Sequence, residues 1–472
     1  MPDAGPRPNL PMVRWLRGVE ATRRAFAEFL KLPCIIVSAF MLLAVGTWLL
    51  DHAEWTFLQP LRSALRERFF RDSQSTSDLL STIAGGIITV TSITFSLLLL
   101  AVQQAAGALT HQVYDQFLRR RVNQVYFGFF VGLAVYTLVV LASVDRPYNP
   151  VFGALMALVL TIVALMLMVL LLYTTVNQMR PTVVIDAIHD RLLLARERQQ
   201  AWLKATKRVS SVPSLPPAVV RSDRHGYVVR IDFDRLTAAM ERSGVRGEIR
   251  LMVAIGAFVA FEDPVAEFRP PPSDSESDFA KAVREAIHIE QQRDLDADAA
   301  YGIEQLADIA WTSISTAKSN PAPGLLVIHS LRDVMARWSV GDDADSVDAG
   351  ASIVYEDDVY ERLLDALETL TVVASESMQP QTISALLRTF ALMFDRLPAG
   401  RQAQAEALVL RSLSALGEHV LTRELDAALA TMIWAMEASG RGEAAAQVQK
   451  AQKALSHSRG KLGSRATRVR GD

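Results

Sequence analysis

Residues 79–112 read LLSTIAGGIITVTSITFSLLLLAVQQAAGALTHQ and contain no aspartate, glutamate, lysine or arginine. An α-helix rises about 1.5 Å per residue and needs about 20 apolar residues to cross a hydrocarbon core of about 30 Å. The stretch is longer than that, so residues 79–101 are predicted to span a membrane and residues 103–114 to emerge at its surface. This segment decides the fold class, because it is too long and too apolar for an ordinary water-exposed helix.

Three further apolar runs complete a predicted four-helix transmembrane domain over residues 32–180. The first, residues 32–50, follows a polar segment and is predicted to be a retained helix rather than a cleaved signal peptide. The third and fourth, residues 123–144 and 151–173, are separated by a short turn that contains two prolines, which predicts a tight antiparallel hairpin. None of these spans contains a charged residue or histidine, which argues against an ion-coupled transporter.

The lysines and arginines that flank the spans predict the orientation, because cytoplasmic loops are enriched in positive charge. One side carries twelve of these residues, in 1–31, 119–121 and 177–196, whereas the other side carries five, in 51–78 and at Arg146. Both termini are therefore expected in the cytoplasm.

The overall composition fits a membrane domain joined to a water-soluble one. Hydrophobic residues make up 50% of the chain and charged residues 21%, and the mean hydropathy is +0.19. The 49 lysines and arginines balance 51 acidic residues, so no nucleic-acid partner is expected. The single cysteine, Cys34, excludes an intramolecular disulfide and a four-cysteine zinc site.

A stripe of small and polar residues follows one side of the second span. At about 100° per residue, its six members fall within an arc of about 80°. They are Ser81, Gly85, Thr89, Ser92, Ser96 and Gln103. Such a stripe fits close helix packing, and it also fits the lining of a water-filled path between several subunits. Gly128 and Gly132 in the third span form a GxxxG step, which favours helix association in either case.

The region after the spans is predicted to be a cytoplasmic domain with a small β-rich module and a helical bundle. Short β-type runs at 227–231, 248–255 and 257–261 are separated by turn residues. Helical spacing of apolar residues then recurs in seven segments. These segments are 279–290, 301–314, 325–338, 359–373, 382–397, 405–420 and 425–436, with Gly440 as a C-cap and residues 342–358 as an acidic loop.

The predicted divisions of the chain follow from these patterns. They are a cytoplasmic segment at 1–31, the transmembrane domain at 32–180, an exit helix and linker at 181–221, the β-rich module at 222–268, a linker at 269–278, the helical domain at 279–440, and a helix end with a basic flexible tail at 441–472. The basic tail could contact anionic lipid.

The chemical motifs of common enzymes are missing from the sequence. There is no GxxxxGK[ST], GxGxxG after a strand, HExxH or GxSxG, and the eight histidines show no metal-ligand spacing. We therefore expect no enzymatic activity, no catalytic or metal-binding residues and no cofactor. One polar constellation stands out on consecutive helices, formed by Arg293, Asp298, Gln305 and Asp308. It fits a structural network of ion pairs and caps, and a ligand or ion site is the alternative.

In the second and third spans and in the helices after the β-rich module, the chain resembles a family of bacterial integral membrane proteins known as domain of unknown function 2254. The resemblance covers about residues 12–440. It is carried by Leu79-Leu80-Ser81-Thr82-Ile83-Ala84-Gly85, Ile88-Thr89-Val90, Phe95-Ser96, Phe117-Leu118-Arg119-x-Arg121-x-Asn123-Gln124, Gly128, Gly132, Arg293, Asp298, Tyr301-Gly302-Ile303-x-Gln305-Leu306-x-Asp308-Ile309-Ala310 and Ser315. The chain departs from the family at 315–321, where it reads STAKSNP instead of a Ser-Pro-Gly-x-Asn-Asp-Pro loop.

The resemblance implies four helices, a cytoplasmic domain and a bacterial inner membrane location, and it implies no activity. Two functions remain open. One is a homo-oligomeric, channel-like protein whose second span lines a permeation path under the control of the cytoplasmic domain. The other is a membrane-anchored scaffold or sensor without transport activity.

Overall fold

The computed structural model describes residues 10–53, 59–108, 121–145, 148–178, 180–204, 206–208, 217–243, 247–269, 276–315, 320–341, 352–417 and 419–456. The chain divides into a unit comprising residues 1–180 and a second unit comprising residues 181–472. We call the first the membrane unit and the second the C-terminal unit.

The membrane unit is built from long helices, as the apolar runs predict. Its described helices are α1 (Leu10–His52), α2 (Gln59–Arg68), α3 (Ser73–Ala108), α4 (Arg121–Ala142) and α5 (Val151–Gln178). Four segments of them are long and apolar enough to cross a membrane, namely Leu30–His52, Ser73–Ser96, Arg121–Ala142 and Val151–Asn177. Helix α3 ends at Ala108, and residues 109–120, which include part of the predicted surface segment, lie outside the described residues.

Helix α4 lies at the centre of the membrane unit, in contact with α1, α3 and α5. Its two glycines face α1. A β-carbon at Gly128 would lie 3.0 Å from Pro33 Cα, and one at Gly132 would overlap the ring of Phe40, at 3.0 Å from its Cγ. The GxxxG step therefore brings two helices of the same chain into backbone contact.

A buried carboxylate joins the C-terminal end of α1 to the N-terminal end of α5. Asp51 is 1% exposed, and its two carboxylate oxygens accept hydrogen bonds from the backbone N–H groups of Phe152 and Gly153, each at 3.0 Å. Pro150 precedes α5 and has no side-chain acceptor that could cap it, so Asp51 caps this helix from α1. The predicted span 32–50 contains no charge, but the apolar helical segment continues to His52 and so includes the buried carboxylate of Asp51.

The C-terminal unit begins with α6 (Pro181–Leu203), which is followed by a mixture of strands and helices. The described elements that come next are β1 (Ala218–Arg221), β2 (Gly226–Ile231), α7 (Phe233–Ser243), β3 (Glu248–Leu251), β4 (Phe258–Val259), β5 (Pro264–Arg269), α8 (Glu276–Ala286), β6 (Ile287–Glu290), α9 (Ala299–Ile314), α10 (Pro321–Gly341) and β7 (Ile353–Val354). The described strands form one sheet of order β1-β5-β3-β7 and one of order β4-β2-β6.

The β module is larger than the expected span of 222–268. Residues 287–290, predicted as the end of a helix, form β6, because Ile287 and Val228 bring β6 and β2 into one buried core. Residues 353–354, predicted as part of an acidic loop, form β7 and pair in parallel with β3. Arg269, predicted in a linker, belongs to β5. Sequence periodicity alone does not reveal such pairings, since the partners are far apart along the chain.

The remaining described helices complete a bundle. They are α11 (Val359–Glu376), α12 (Pro380–Met393), a 3-10 turn (Phe394–Arg396), α13 (Ala399–Leu416), α14 (Arg423–Ala438) and α15 (Gly442–Ser456). Helix α9 is central, since it contacts α6, α10 and α11 and its Ile303, Leu306 and Ile309 are fully buried. Helix α15 occupies part of the predicted helix end and tail, and residues 457–472 lie outside the described residues.

We predict that Gly132→Ala destabilises the membrane unit, because the added methyl group overlaps the Phe40 ring and overpacking of this kind costs about 1–3 kcal/mol. Gly46→Ala on α1 is the matched control, since a β-carbon there meets nothing within 4 Å. Thermal unfolding of the purified protein in detergent would measure both. Equal melting temperatures for the two variants would contradict the tight α1–α4 contact.

Candidate functional site

The polar stripe of α3 faces away from the core formed by the described residues of the membrane unit. Ser81, Gly85, Thr89, Ser92, Ser96 and Gln103 are all exposed. The opposite side of α3 carries Leu80, Ile83 and Ile87, which are buried in the core of the membrane unit. The stripe therefore does not serve the packing of α3 onto α4 or α5, and it is available to another molecule.

Two hydroxyl groups of the stripe bond to the backbone of their own helix. Thr89 Oγ1 donates to the carbonyl oxygen of Gly85 at 2.8 Å, and Ser96 Oγ donates to that of Ser92 at 2.9 Å. Each hydroxyl oxygen keeps lone pairs that can still accept a hydrogen bond. A β-carbon at Gly85 would meet nothing within 4 Å, so the space next to the stripe is open at this position.

The predicted polar constellation is partly assembled. Arg293 Nε donates to Asp298 Oδ2 at 2.8 Å, and the guanidinium also bonds Glu304 and lies 4.5 Å from the centre of the Tyr301 ring. Asp298 is the N-cap of α9, because its Oδ1 accepts from the N–H of Tyr301 at 3.0 Å. Glu304 was missed at the sequence level, although its i, i+3 spacing from Tyr301 places it on the same helix face.

Gly256 lets this ion pair approach the β module. Its φ is +88°, and a β-carbon there would lie 2.6 Å from Arg293 Nη2 and would collide with Asp298 Oδ2. The pair therefore fixes the segment between β6 and α9 against the turn before β4.

Burial and charge act in opposite directions on the pKa values of the pair. Burial raises the pKa of Asp298 by more than the bonds from Arg293 and from the Tyr301 N–H lower it. For Arg293, burial lowers the pKa, but the hydrogen bond and charge of Asp298, together with Glu304, raise it above its ordinary value. Arg293 therefore remains charged, and it neutralises the two carboxylates around it.

The other two predicted members lie apart from this pair. Gln305 is 8% exposed, and its Oε1 has no hydrogen-bond partner among the described residues. Asp308 is exposed, and its pKa is raised by partial burial and by the negative charge of Glu304. Arg293 and Asp298 thus form a structural cap, whereas Gln305 and Asp308 are not joined to it.

A second buried ion pair was not predicted. Arg196 of α6 donates two hydrogen bonds to Asp357, at 3.0 and 2.7 Å, and both side chains are at most 6% exposed. The guanidinium of Arg196 also lies 5.2 Å from the centre of the Trp338 ring. The two charges are 161 positions apart in sequence, so no local pattern indicated them. Among the described residues, no group of three histidine, cysteine or acidic side chains could hold a metal ion.

These features define a multi-pass membrane protein with a large C-terminal unit of sheets and helices. The chain belongs to the family described as predicted membrane protein DUF2254, whose model matches residues 27–390. It is similar to uncharacterized proteins of Mycobacterium bovis and Mycobacterium tuberculosis, each 24% identical over 279 residues. That match covers 56% of this chain and 53% of each relative, so the chain spans about half the length of the curated relatives it matches. No solved structure matches.

We predict that Arg293→Ala destabilises the C-terminal unit by about 3 kcal/mol, because it leaves the carboxylate of Asp298 buried without its partner. Arg235→Ala, which breaks the more exposed pair with Asp232, is the control and should cost at most about 1 kcal/mol. Chemical unfolding measures both values. A stable Arg293→Ala protein that has lost an activity would instead identify a ligand site.

Proposed function

We propose that the protein is a homo-oligomeric membrane protein in which α3 helices from several copies surround a permeation path. The outward orientation of the α3 stripe carries the proposal. Its small and hydroxylated residues, which include Ser92 and Ser96, do not pack within their own chain. Symmetry would bring the same stripe of each copy to a common axis.

The chemistry of the stripe suits a path for water and small solutes. Hydroxyl groups can hydrogen-bond water without the cost of placing a charge in the membrane, and the lone pairs of Thr89 and Ser96 remain available on the exposed side. Apolar side chains such as Ile93 and Phe95 are 56% and 48% exposed and can contact lipid or a neighbouring subunit.

The orientation of the spans follows from the flanking positive charges. We place the membrane unit in the bacterial inner membrane, with both termini and the whole C-terminal unit in the cytoplasm, where this unit would regulate or assemble the path. The proposal assigns the chain no enzymatic activity, cofactor or metal.

We predict that Ser92→Leu and Ser96→Leu abolish solute or ion flux, because each leucine replaces a hydroxyl group of the stripe with a bulky apolar side chain. Flux into vesicles that contain the purified protein measures this, and native mass spectrometry shows whether assembly is retained. Thr91→Leu is the control, since Thr91 is a half-buried hydroxyl residue that points away from the stripe. Wild-type vesicles that never pass ions or small solutes would refute the proposal.

A membrane-anchored scaffold or sensor is the second candidate. The observation that favours it is the bonding of the stripe hydroxyls to their own helix, which allows the stripe to lie against lipid or another helix without water. In that case vesicles that contain the purified protein do not pass solutes. The Ser96→Leu protein still binds a cytoplasmic partner, whereas a protein without residues 181–472 does not.

A further inference from the structure

An open groove of about 760 Å³ lies on the surface of the C-terminal unit, between α9 and α11. Trp311 of α9 and Val372 of α11 form much of its apolar surface, and they are 50% and 53% exposed. Exposed tryptophan in a concave, largely apolar site is typical of surfaces that bind another chain. Among the described residues, the C-terminal unit leaves this groove uncovered.

The rim of the groove is acidic. Asp365, Glu368 and Glu376 line it, and none of its described lining residues is a lysine or arginine. Glu368 accepts a hydrogen bond from Arg411 at 3.0 Å, so one positive charge compensates part of the rim. Asp308 lies on α9 three positions before Trp311, so it adds an exposed carboxylate to the same side of that helix. A partner with positive charge and some apolar surface would therefore complement this groove.

We propose that the groove binds the basic segment 457–472 of the same chain. This segment follows α15 and contains five lysines and arginines and one acidic residue. They are Arg459, Lys461, Arg465, Arg468, Arg470 and Asp472. Leu462 and Val469 supply apolar side chains that suit Trp311 and Val372. The inference concerns the C-terminal unit and does not depend on a permeation path.

The segment is long enough to reach the groove. Helix α15, which ends at Ser456, packs on α13, and α13 packs on α11. Packed helices lie about 10 Å apart, so these two steps cover about 20 Å across the bundle. Sixteen residues in extended form reach about 50 Å. This reach exceeds the distance across the bundle and leaves enough chain to reach a groove at a different position along α11. Because the segment is tethered, its effective concentration at the groove is in the millimolar range, and a modest affinity suffices.

Disulfide formation in the full-length protein tests the contact. In a Cys34→Ser background, Ser464→Cys is combined with Thr369→Cys in the groove, and the protein is kept in nanodiscs of zwitterionic lipid. The control pair combines Ser464→Cys with Ala430→Cys, an exposed position on α14, which contacts α15 directly. We expect the groove pair to form the intramolecular disulfide roughly tenfold faster under mild oxidation, because docking raises the local thiol concentration.

Charge reversal separates docking from chance encounters. Asp365→Lys should slow the groove disulfide several-fold, Arg468→Glu in the same protein should restore part of the rate, and high salt should slow it. Glu437→Lys, a reversal of an exposed charge on α14, is the control and should change nothing. Each variant is first checked for an unchanged melting temperature.

Four outcomes would overturn the proposal. The first is an equal rate for the groove and control pairs, and the second is a groove rate that Asp365→Lys leaves unchanged. The third is a disulfide that links two chains instead of forming within one. The fourth is a fluorescent label at residue 464 that responds only to anionic lipid while the groove disulfide stays slow. The third would assign the groove to a neighbouring copy, and the fourth would assign the segment to the membrane surface.

Discussion

The membrane unit depends on the bond between Asp51 and the start of α5. The N–H groups in the first turn of a helix have no partner within the helix, and the burial of Asp51, which is 1% exposed, keeps water from this site. Pro150 cannot supply a cap, so the carboxylate of Asp51 bonds the N–H groups of Phe152 and Gly153 from the end of α1. The positive end of the helix dipole favours the negative charge at this place. This bond holds the end of α1 against the start of α5, and the glycines of α4 determine how closely α1 approaches α4.

The C-terminal unit uses buried charge in a similar way. Arg293 and Asp298 hold the segment before α9 against the turn at Gly256, and Arg196 and Asp357 hold α6 against the segment before α11. The first pair is local, five positions apart, and packs against Gly256, whereas the second joins residues 161 positions apart. Burial of such pairs is tolerated because every charge has a partner at hydrogen-bond distance, whereas loss of one partner leaves the other charge unpaired in the interior.

Buried and exposed residues are separated on opposite sides of α3. One side of this helix carries the leucine and isoleucine side chains that the core of the membrane unit needs, and the other carries the small and hydroxylated residues that this core leaves exposed. Small residues of this kind are enriched where transmembrane helices approach one another closely. The proposed assembly of several copies would cover this stripe, whereas the scaffold candidate leaves it against lipid or another helix.

The sequence by itself determined the four spans, because the length and the absence of charge in an apolar run are local properties. They are sufficient for a helix that crosses the hydrocarbon core of a bilayer. It also indicated the pairing of Arg293 with Asp298, five positions apart, and most helices of the bundle. Only the tertiary structure decided that Gly128 and Gly132 face α1, that the α3 stripe faces outward, and that residues 287–290 and 353–354 are strands. These outcomes depend on which surfaces meet, and contacts such as Arg196 with Asp357 join residues too distant in sequence for any local pattern to reveal.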